Sequence, residues 1–415
     1  MSLSLRPHSR EKLPWAPADS GVKLVHDYEA AVPASLASQQ LHMDAETASM
    51  CQEARLAVAV LDRLPATNRP GVAAILALAE ASASYLIDGH IAAPTQVAAA
   101  AAGQPTTRAA RTIHSARTNL LAHISASRRA VTLGSISLAY SPPRRMASGH
   151  RIGAAYRGVQ TWQGGTDLWP DGADYVPPHP ARVPALMDDL IAFAARHDLD
   201  PVTQAAIAHA QLRSIEPFPQ SNDQVARSLI NGVFRSRRAT ERSIVPISAA
   251  LSRNILRYNG SWRTFRDGDA TPMVEMVADA TLRAADAASR LAETVALLPA
   301  QWHEAARPRR GSAAHALIEV LAANPTVNAQ GVQELTGASQ ASAYDAIARL
   351  AEVGVLSRVS PTKRDTAWAA MDVFEASQNL VDELSGGAMS RGRRERLSTP
   401  RRPSVRRAVV GSSRA

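Results

Sequence analysis

Two helical patterns separated by a short, turn-rich loop mark the centre of the chain. Residues 201–214 read PVTQAAIAHAQLRS, the loop reads IEPFPQSND, and a second helical pattern covers Asp223–Arg235. A Pro-Phe-Pro turn cannot continue a helix, and the Asn at 222 is a residue type that starts one. The layout predicts two packed helices joined by a loop at a helix N-terminus, a place that favours anions. Glu216 and Asp223 lie inside that loop, and their negative charges would repel an anion.

Composition favours a helical, membrane-free protein of two or three domains. The chain has 415 residues, of which 46% are hydrophobic and only 4% aromatic, so its core is built mainly from Ala, Leu, Val and Ile. Cys51 is the single cysteine, which excludes an intrachain disulfide and fits a reducing compartment. No run of about 18 apolar residues is present. We expect a cytoplasmic location and no membrane partner.

The net charge of +9 resides in the C-terminal tail. Residues 391–415 contain nine Arg and one Glu, and the rest of the chain is nearly neutral. A segment rich in Arg, Ser, Pro and Gly is expected to be disordered. Two interpretations stay open: a solvated end, or a segment that attracts nucleic acid or acidic partners without sequence preference.

Four segments can be distinguished within residues 1–180. Residues 1–25 are expected to be disordered, and a helical pattern runs from Asp27 to Leu64. Residues 71–88 are apolar all round, which predicts a buried helix that ends at Gly89. The segment 141–180 is rich in Gly and Pro, and Val159–Trp162 and Asp174–Val176 flank a Gly-Gly turn, which predicts a hairpin flap.

The remaining helices are predicted from their apolar periodicity. They are Arg108–Ile124, Arg182–Arg196, Ala249–Arg257, Thr271–Leu298, His315–Ala323, Ala329–Leu335 and Ser339–Glu352. The last three precede two short segments, Val353–Val359 and Thr366–Ala369, that are expected to form a two-stranded wing. Three helices and a wing predict a winged helix-turn-helix. Ser339, Gln340, Ser342, Lys363 and Arg364 are its candidate DNA-binding residues.

The central loop resembles the motif of the Fic/Doc family. Family members share His-Pro-Phe-x-Asp/Glu-Gly-Asn-Gly-Arg-x-x-Arg between two helices, and the preceding stretch often reads AHAQFETI where this chain has AHAQLRSI. The resemblance also covers YVPPHPARVPALMDDLIAF and ISAALSRNILRYNGSWRTFRDGD, and a C-terminal winged helix is a common family appendage. It implies a mainly α fold: a Fic-type helical bundle with a short β-hairpin flap, followed by a winged helix-turn-helix domain.

The expected organisation follows from this resemblance. The segments are a disordered N-terminus at 1–25, an N-terminal helical region at 26–140 with an inhibitory-type helix near 71–89, a Fic-like core at 141–300 with the motif loop 215–227, a linker at 307–312, a winged helix at 313–384 and a disordered Arg-rich tail at 385–415.

Family members typically transfer AMP from ATP to a target hydroxyl, and this chain departs from them at the groups that handle the nucleotide. Glu216 replaces the catalytic His, Gln220 the metal-holding acid, Ser221 and Asp223 the two glycines, and Gln224 the first Arg. Pro217, Phe218, Asn222 and Arg227 match. The resemblance therefore gives Ser221, Asn222, Gln224 and Arg227 as the nucleotide-binding positions.

Each replacement weakens the family chemistry. A carboxyl group is a weaker base than His near neutral pH, unless burial raises its pKa. A neutral amide is a poor Mg²⁺ ligand at position 220, and Gln224 lacks the guanidinium that clamps a phosphate. Glu216 and Asp223 against Arg227 give the loop a net charge of −1, where the family loop carries +1. We expect Asn222 to be the N-cap of the helix that follows.

A second family feature involves residues 84–89, SYLIDG. Many Fic proteins carry Ser/Thr-x-x-x-Glu-Gly/Asn on a helix whose Glu pairs with the last Arg of the motif and prevents productive placement of ATP. Ser84 and Asp88 occupy these positions here, and Arg227 is retained. Two interpretations stay open: an inhibitory pair, or an Asp that only ends a helix.

Three functions fit these observations. The first is a Fic-fold protein with an inactive transferase site that regulates or binds through its winged helix, with no cofactor expected. The second is an active transferase of AMP or a related phosphate-containing group, which needs ATP and Mg²⁺. The third is a winged-helix transcriptional regulator. The partners considered are a protein at the flap, DNA at the winged helix and Arg-rich tail, and a second copy of the chain.

Overall fold

The computed structural model describes residues 3–15, 26–69, 71–140, 156–166, 169–170, 172–361 and 366–387. Its helices, numbered α1 to α15 in chain order, are Ala45–Arg63, Val72–Ile87, Pro94–Ala101, Arg108–Ala126, Leu133–Ala139, Val183–Ala194, Pro201–Ile215, Asn222–Ser236, Ile247–Leu251, Ile255–Arg266, Thr271–Ala306, Ala313–Leu321, Ala329–Thr336, Gln340–Glu352 and Met371–Leu384. Its strands, β1 to β5, are Ser9–Trp15, His26–Val32, Thr326–Val327, Ser357–Arg358 and Trp368–Ala369. The expected mainly helical, Fic-type fold is confirmed. Within the described ranges no helix is long and apolar enough to span a bilayer.

The central pair α7 and α8 forms the middle of the core. Every residue of α7 after Pro201 is buried, and so are residues 225–234 of α8. The sequence starts α7 efficiently, because the Asp200 side chain accepts a hydrogen bond from the amide of Val202 and Pro201 occupies the first helical position. The prediction of two helices joined by a loop is confirmed, and the loop is held rigidly between two buried elements.

The longest helix, α11, connects the core to the C-terminal part of the chain. It has 36 residues and spans about 54 Å at 1.5 Å per residue. It packs on α1, α7, α9 and α10 of the core and also contacts α12 and α15. The predicted helix Ala249–Arg257 is wrong. The Asn254 side chain accepts from the amide of Arg257 and starts a new helix, so α9 and α10 are separate.

The N-terminal segments differ from the sequence prediction. Residues 9–15 form β1, which pairs antiparallel with β2 in a register that sets Ser9 opposite Val32. The expectations of disorder over 1–25 and of a helix from Asp27 are therefore wrong for these two strands. Tyr28 and Ala30 are buried at alternate positions of β2. That strand pattern depends on pairing with β1 across residues 16–25, which the helical periodicity of the segment does not show.

The flap is tied to the rest of the fold by few backbone contacts. Gln163 and Tyr175 form an isolated antiparallel bridge, and the amide of Ala31 in β2 donates to the carbonyl of Val176 at 2.9 Å. Within the described residues of this region there is no regular strand, so the predicted hairpin is reduced to one bridge. Residues 167, 168 and 171 of the expected flap, and residues 141–155 before it, lie outside the described residues.

The C-terminal unit consists of α12, α13, α14 and a small antiparallel sheet of order β3-β5-β4. The segment that we assigned to a winged helix at 313–384 extends too far. Helix α15 leaves the sheet at Ala370 and packs on α2, α3, α9 and α11. Its buried face carries Val373, Phe374, Leu380 and Val381, which explains why it returns to the N-terminal helices.

Candidate functional site

The motif loop between α7 and α8 is held in a compact turn by side-chain hydrogen bonds and by two residues with left-handed backbone conformation. Glu216 and Ser221, its first and last residues, have left-handed φ values of 46° and 61°. The Asn222 side chain accepts from the amide of Phe218 and donates to its carbonyl, both at 2.8 Å. Phe218 is fully buried and its ring stacks on Tyr140 at 5.0 Å.

The helix start differs from the prediction by one residue. Helix α8 begins at Asn222, and Ser221 occupies the N-cap position. The expected role of Asn222 as N-cap is therefore wrong, because its side chain closes the loop instead. Ser221 adopts the left-handed conformation that glycine tolerates best, and it stands at the family's first glycine. Asp223, which replaces the second glycine of the family motif, lies in the regular part of helix α8.

Glu216 is buried, with 8% of its surface exposed. The amide group of Gln163, on the flap, donates to its Oε1, and Arg157 donates from Nε to its main-chain carbonyl at 2.8 Å. Burial, and next the charge of Asp223, raise the pKa of Glu216 to about 7. Burial, the exception noted for the weak base expected at this position, therefore applies to Glu216.

Asp223 is paired with Arg213 of α7, at 3.0 Å between Oδ1 and Nε. Arg213 also donates to Asn259, and its guanidinium lies over the Trp262 and Tyr258 rings. Burial alone would raise the pKa of Asp223, but Arg213 and then Arg227 hold it below its ordinary value.

The loop charge of −1 that we counted from the motif therefore omitted a cation. Arg213 stands ten residues before Asp223 and reaches it because α7 and α8 pack side by side. A sequence signal existed: this position is Glu in the family stretch AHAQFETI and Arg in AHAQLRSI. Position 213 carries Arg where the family stretch has Glu, and position 223 carries Asp where the family motif has Gly.

Arg227 is held by the helix that precedes the domain core. It has 1% of its surface exposed, and it donates to the hydroxyl and the carbonyl of Ser84 at 2.8 Å each. Its Nη2 lies 2.6 Å from Oδ2 of Asp88, the atom to which Gln224 also donates at 2.6 Å. Ser84, Asp88, Gln224 and Arg227 thus form one polar cluster between α2 and α8.

The guanidinium of Arg227 is a permanent charge. Burial lowers the pKa of Arg227, but Asp88, Tyr258 and Asp223 together raise it above its ordinary value. Burial raises the pKa of Asp88 against the attraction of Arg227. Within the motif, Gln224 and Arg227 thus bond to Ser84 and Asp88 of the protein itself.

Sequence reasoning missed Glu80, one helical turn before Ser84. Glu80 is 2% exposed, and its carboxylate accepts from the amide of Ser248 at 2.8 Å and from the Ser248 hydroxyl at 2.5 Å. Burial raises its pKa to about 7. Residues 80, 84 and 88 share one face of α2, because four residues make about one turn. A lone Glu in an otherwise apolar helix was the available signal.

A small cavity adjoins the cluster. Its volume is about 30 Å³, which is room for about one water molecule. Its polar lining comes from α2, Ser221 and α8: Glu80, Ser84, Tyr85, Ser221, Gln224 and Ser228. This cavity is therefore too small to hold a nucleotide.

The donor set at the motif does not fit Mg²⁺. Gln220 presents a neutral amide at the family's metal position, Asp223 is bound to Arg213, and Asp88 is bound to Arg227. Mg²⁺ prefers carboxylate oxygens that are available for octahedral coordination. Among the described residues, no group of three or more His, Cys, Asp or Glu is arranged to hold a metal ion.

The N-terminal strands support the flap through an aromatic cluster. Trp15 of β1 contacts Tyr28 and Trp162 edge-to-face, at 6.0 and 5.3 Å between ring centroids. The Tyr28 hydroxyl donates to Gln160 on the flap. Since Gln163 contacts Glu216, β1 and β2 position the flap residue that faces the motif.

The candidate DNA-binding residues lie at the start of α14. Ser339 is its N-cap; its hydroxyl oxygen accepts from the amide of Ser342, and the Ser339 hydroxyl donates to that of Ser342. Both hydroxyls thus serve the helix start, and Gln340 is exposed. Lys363 and Arg364 lie outside the described residues. Helix α14, which begins at Gln340 and contains Ser342, packs on α12 and α13 rather than on the helices of the motif loop.

Comparison with known proteins agrees with this geometry. The sequence model of the Fic/DOC family matches residues 106–233, which run from α4 through the motif into α8. These residues form a Fic/DOC domain. No curated protein matches the chain. The Fic/DOC domain is thus accompanied by α1 to α3 before it and α9 to α15 after it.

Three solved structures are similar to the chain that contains this Fic/DOC domain. A Fic family protein from Desulfovibrio desulfuricans G20 is 17% identical with a TM-score of 0.49, covering 79% of this chain and 97% of that one. Residues 134–508 of Fic-1 from C. elegans are 18% identical with a TM-score of 0.45, covering 60% and 74%. A Fic domain containing signaling protein from Bacteroides thetaiotaomicron VPI-5482 is 16% identical with a TM-score of 0.45, covering 59% and 98%.

Proposed function

We propose that this chain is a Fic-fold regulatory or binding protein whose transferase site is inactive, and whose C-terminal unit, a winged helix at 313–369, is the binding module. The observation that carries the proposal is the Arg213–Asp223 pair. It places a carboxylate of the protein in the first turn of α8, where a Fic enzyme is expected to hold nucleotide phosphates.

An internal carboxylate disfavours a phosphate by direct repulsion. Two unit charges about 4 Å apart repel by about 4 kcal/mol at an effective dielectric near 20. The N-terminus of a helix returns only about 0.3–1 kcal/mol. Arg213 compensates Asp223 and leaves little attraction for a second anion.

The remaining phosphate-handling positions support the same conclusion. Gln224 replaces a family Arg and donates to Asp88, and Arg227 is committed to Ser84 and Asp88. A nucleotide would have to displace these contacts and to bring Mg²⁺ to a position without a free carboxylate. The inhibitory interpretation of Ser84 and Asp88 is proposed on this basis.

A second function, active transfer of AMP or a related group, is favoured by one observation. Glu216 stands in the position of the family's base, and its pKa of about 7 suits proton transfer near neutral pH. A working base would make transfer rise with pH through about 7, since the ionised carboxylate accepts the proton.

Titration calorimetry with ATP, with and without Mg²⁺, separates the two. The proposed function predicts no heat of binding at concentrations up to about 1 mM. The Asp223→Gly variant is the control, and it should bind ATP little better than the unaltered chain, because the other motif replacements remain. Saturable binding by the unaltered chain would favour the transferase.

A further inference from the structure

The outward face of α14 is acidic and lacks a free base. Its exposed residues include Tyr344, Asp345 and Glu352, with Ala341 and Ala348 between them. Tyr344 is 51% exposed, although a large aromatic side chain gains by being covered. The face therefore presents an aromatic ring flanked by two carboxylates and two small side chains.

The single basic residue of α14 is already in use. Arg349 donates from Nε to the carbonyl of Ala306 and from Nη2 to that of Arg307, both at 2.7 Å. It thereby caps the C-terminal end of α11, which leaves orphan carbonyls of its own. Arg349 is exposed but bound to the end of α11, and the other charged side chains of α14 are the carboxylates of Asp345 and Glu352.

We propose that the occupant of this face is the chain's own Arg-rich segment, residues 391–407. That segment contains eight Arg and one Glu, so its charge complements Asp345 and Glu352. A guanidinium binds carboxylates in a bidentate manner and stacks on the face of a Tyr ring. The small side chains at 341 and 348 leave the Tyr344 ring accessible.

The chain is long enough for this contact. Helix α15 starts beside β5 of the C-terminal unit and ends at Leu384. Fourteen helical residues span about 21 Å, and the roughly 28 residues that follow Gly387 reach at most about 90 Å when extended. A segment tethered at this distance acts at a high effective concentration, so weak individual contacts suffice.

Two other occupants are less favoured. A second copy docking by the same face would bring its own Asp345 and Glu352 against this pair, and like charges disfavour such a contact. Nucleic acid would meet the same carboxylates with its phosphates. On the proposal, α14 binds the segment that would otherwise attract nucleic acid, so the C-terminal unit masks the chain's basic region.

The test is a double-mutant cycle read with a fluorescent single-stranded DNA of mixed sequence, used as a generic polyanion, at about 50 mM salt. Asp345→Asn with Glu352→Gln is made in the full chain and in a chain that ends at Gly387. In the full chain the pair should tighten DNA binding about tenfold, since each exposed ion pair is worth up to about 1 kcal/mol. In the shortened chain it should change binding by less than about twofold.

Two results would overturn the proposal. Equal gains in both chains would show that the acids repel the probe directly, and no gain in the full chain would show that the tail is not held. Glu46→Gln with Glu53→Gln on α1 is the matched control, because both acids are exposed and lie on another element. Circular dichroism checks that each variant is folded.

A disulfide trap reports the contact itself. Cys51 is buried, so Ser404→Cys and Ala348→Cys provide the only exposed thiols. Mild oxidation should link them within one chain, detected as a faster band in denaturing electrophoresis. Links only between chains, or none, would contradict the proposal. The proposal about the Arg-rich segment depends on the proposed function in one respect, namely that the C-terminal unit is a binding module. Neither test reads nucleotide binding, so the two fail separately.

Discussion

Arg227 and Asp88 form an ion pair between the motif helix and α2, with 2.6 Å between Nη2 and Oδ2. Gln224 donates to the same carboxylate oxygen, and Ser84 accepts from Arg227. The pair joins a segment inside the Fic/DOC match to a helix outside it. It holds α2 against the motif, and its loss should lower the stability of the fold.

Asp88→Asn tests that relationship. The substitution keeps the size of the side chain and leaves the buried guanidinium without a counter-charge. We expect the free energy of unfolding to fall by about 3 kcal/mol, as for a broken buried pair. Urea unfolding measures it. Asp279→Asn, in a partly exposed pair with Arg283, is the control and should cost less than about 1 kcal/mol.

Glu80 should make stability depend on pH. Its folded pKa of about 7 lies above its ordinary 4.5, so its favourable contribution is complete below about 4.5 and is lost as pH rises through 7. Glu80→Gln should therefore be more stable than the unaltered chain at pH 9, by about 3 kcal/mol, and similar at pH 4. Thermal unfolding at the two values checks this. Equal pH dependence in both proteins would show that Glu80 is ionised at little cost.

The electrostatic coupling between Glu216 and Asp223 can be read directly. Asp223 raises the pKa of Glu216 and Arg213 lowers it. Asp223→Asn should therefore move the Glu216 titration down, and Arg213→Gln should move it up. Carboxyl carbon NMR of the labelled protein follows both. Shifts in the same direction would show that the three groups do not act through charge.

Restoration of the family motif should recover nucleotide binding only as a set. The combination is Glu216→His, Gln220→Asp, Asp223→Gly, Gln224→Arg and Asp88→Gly. It removes both anions that hold Arg213 and Arg227, so two guanidinium groups become available for phosphates. Single reversions should do little, because groups that act as a unit are not additive. Calorimetry with ATP and Mg²⁺ compares them.

The sequence predicted the parts of this structure that depend on local pattern. The α7–loop–α8 unit and the buried α2 follow from helical periodicity and from the motif positions, whereas the pairing of Asp88 with Arg227 was one of two interpretations left open. The β1–β2 pairing was not predicted, because each strand is stabilised by hydrogen bonds to the other rather than by a local pattern. The pKa of Glu216 depends on Gln163 and on burial, which only the folded chain provides. The role of Arg213 could have been predicted, because this residue replaces the Glu of the family stretch AHAQFETI. It was missed because the net charge was counted over the motif alone.

The central claim is that the motif loop no longer handles ATP. The most direct measurement is incubation of the unaltered chain with ATP labelled in the α-phosphate and Mg²⁺ at pH 8, where Glu216 is ionised. The account predicts no label on the chain or on added protein, and the same background for Glu216→Ala. Label transfer by the unaltered chain that disappears in Glu216→Ala would contradict it and would identify Glu216 as a working base.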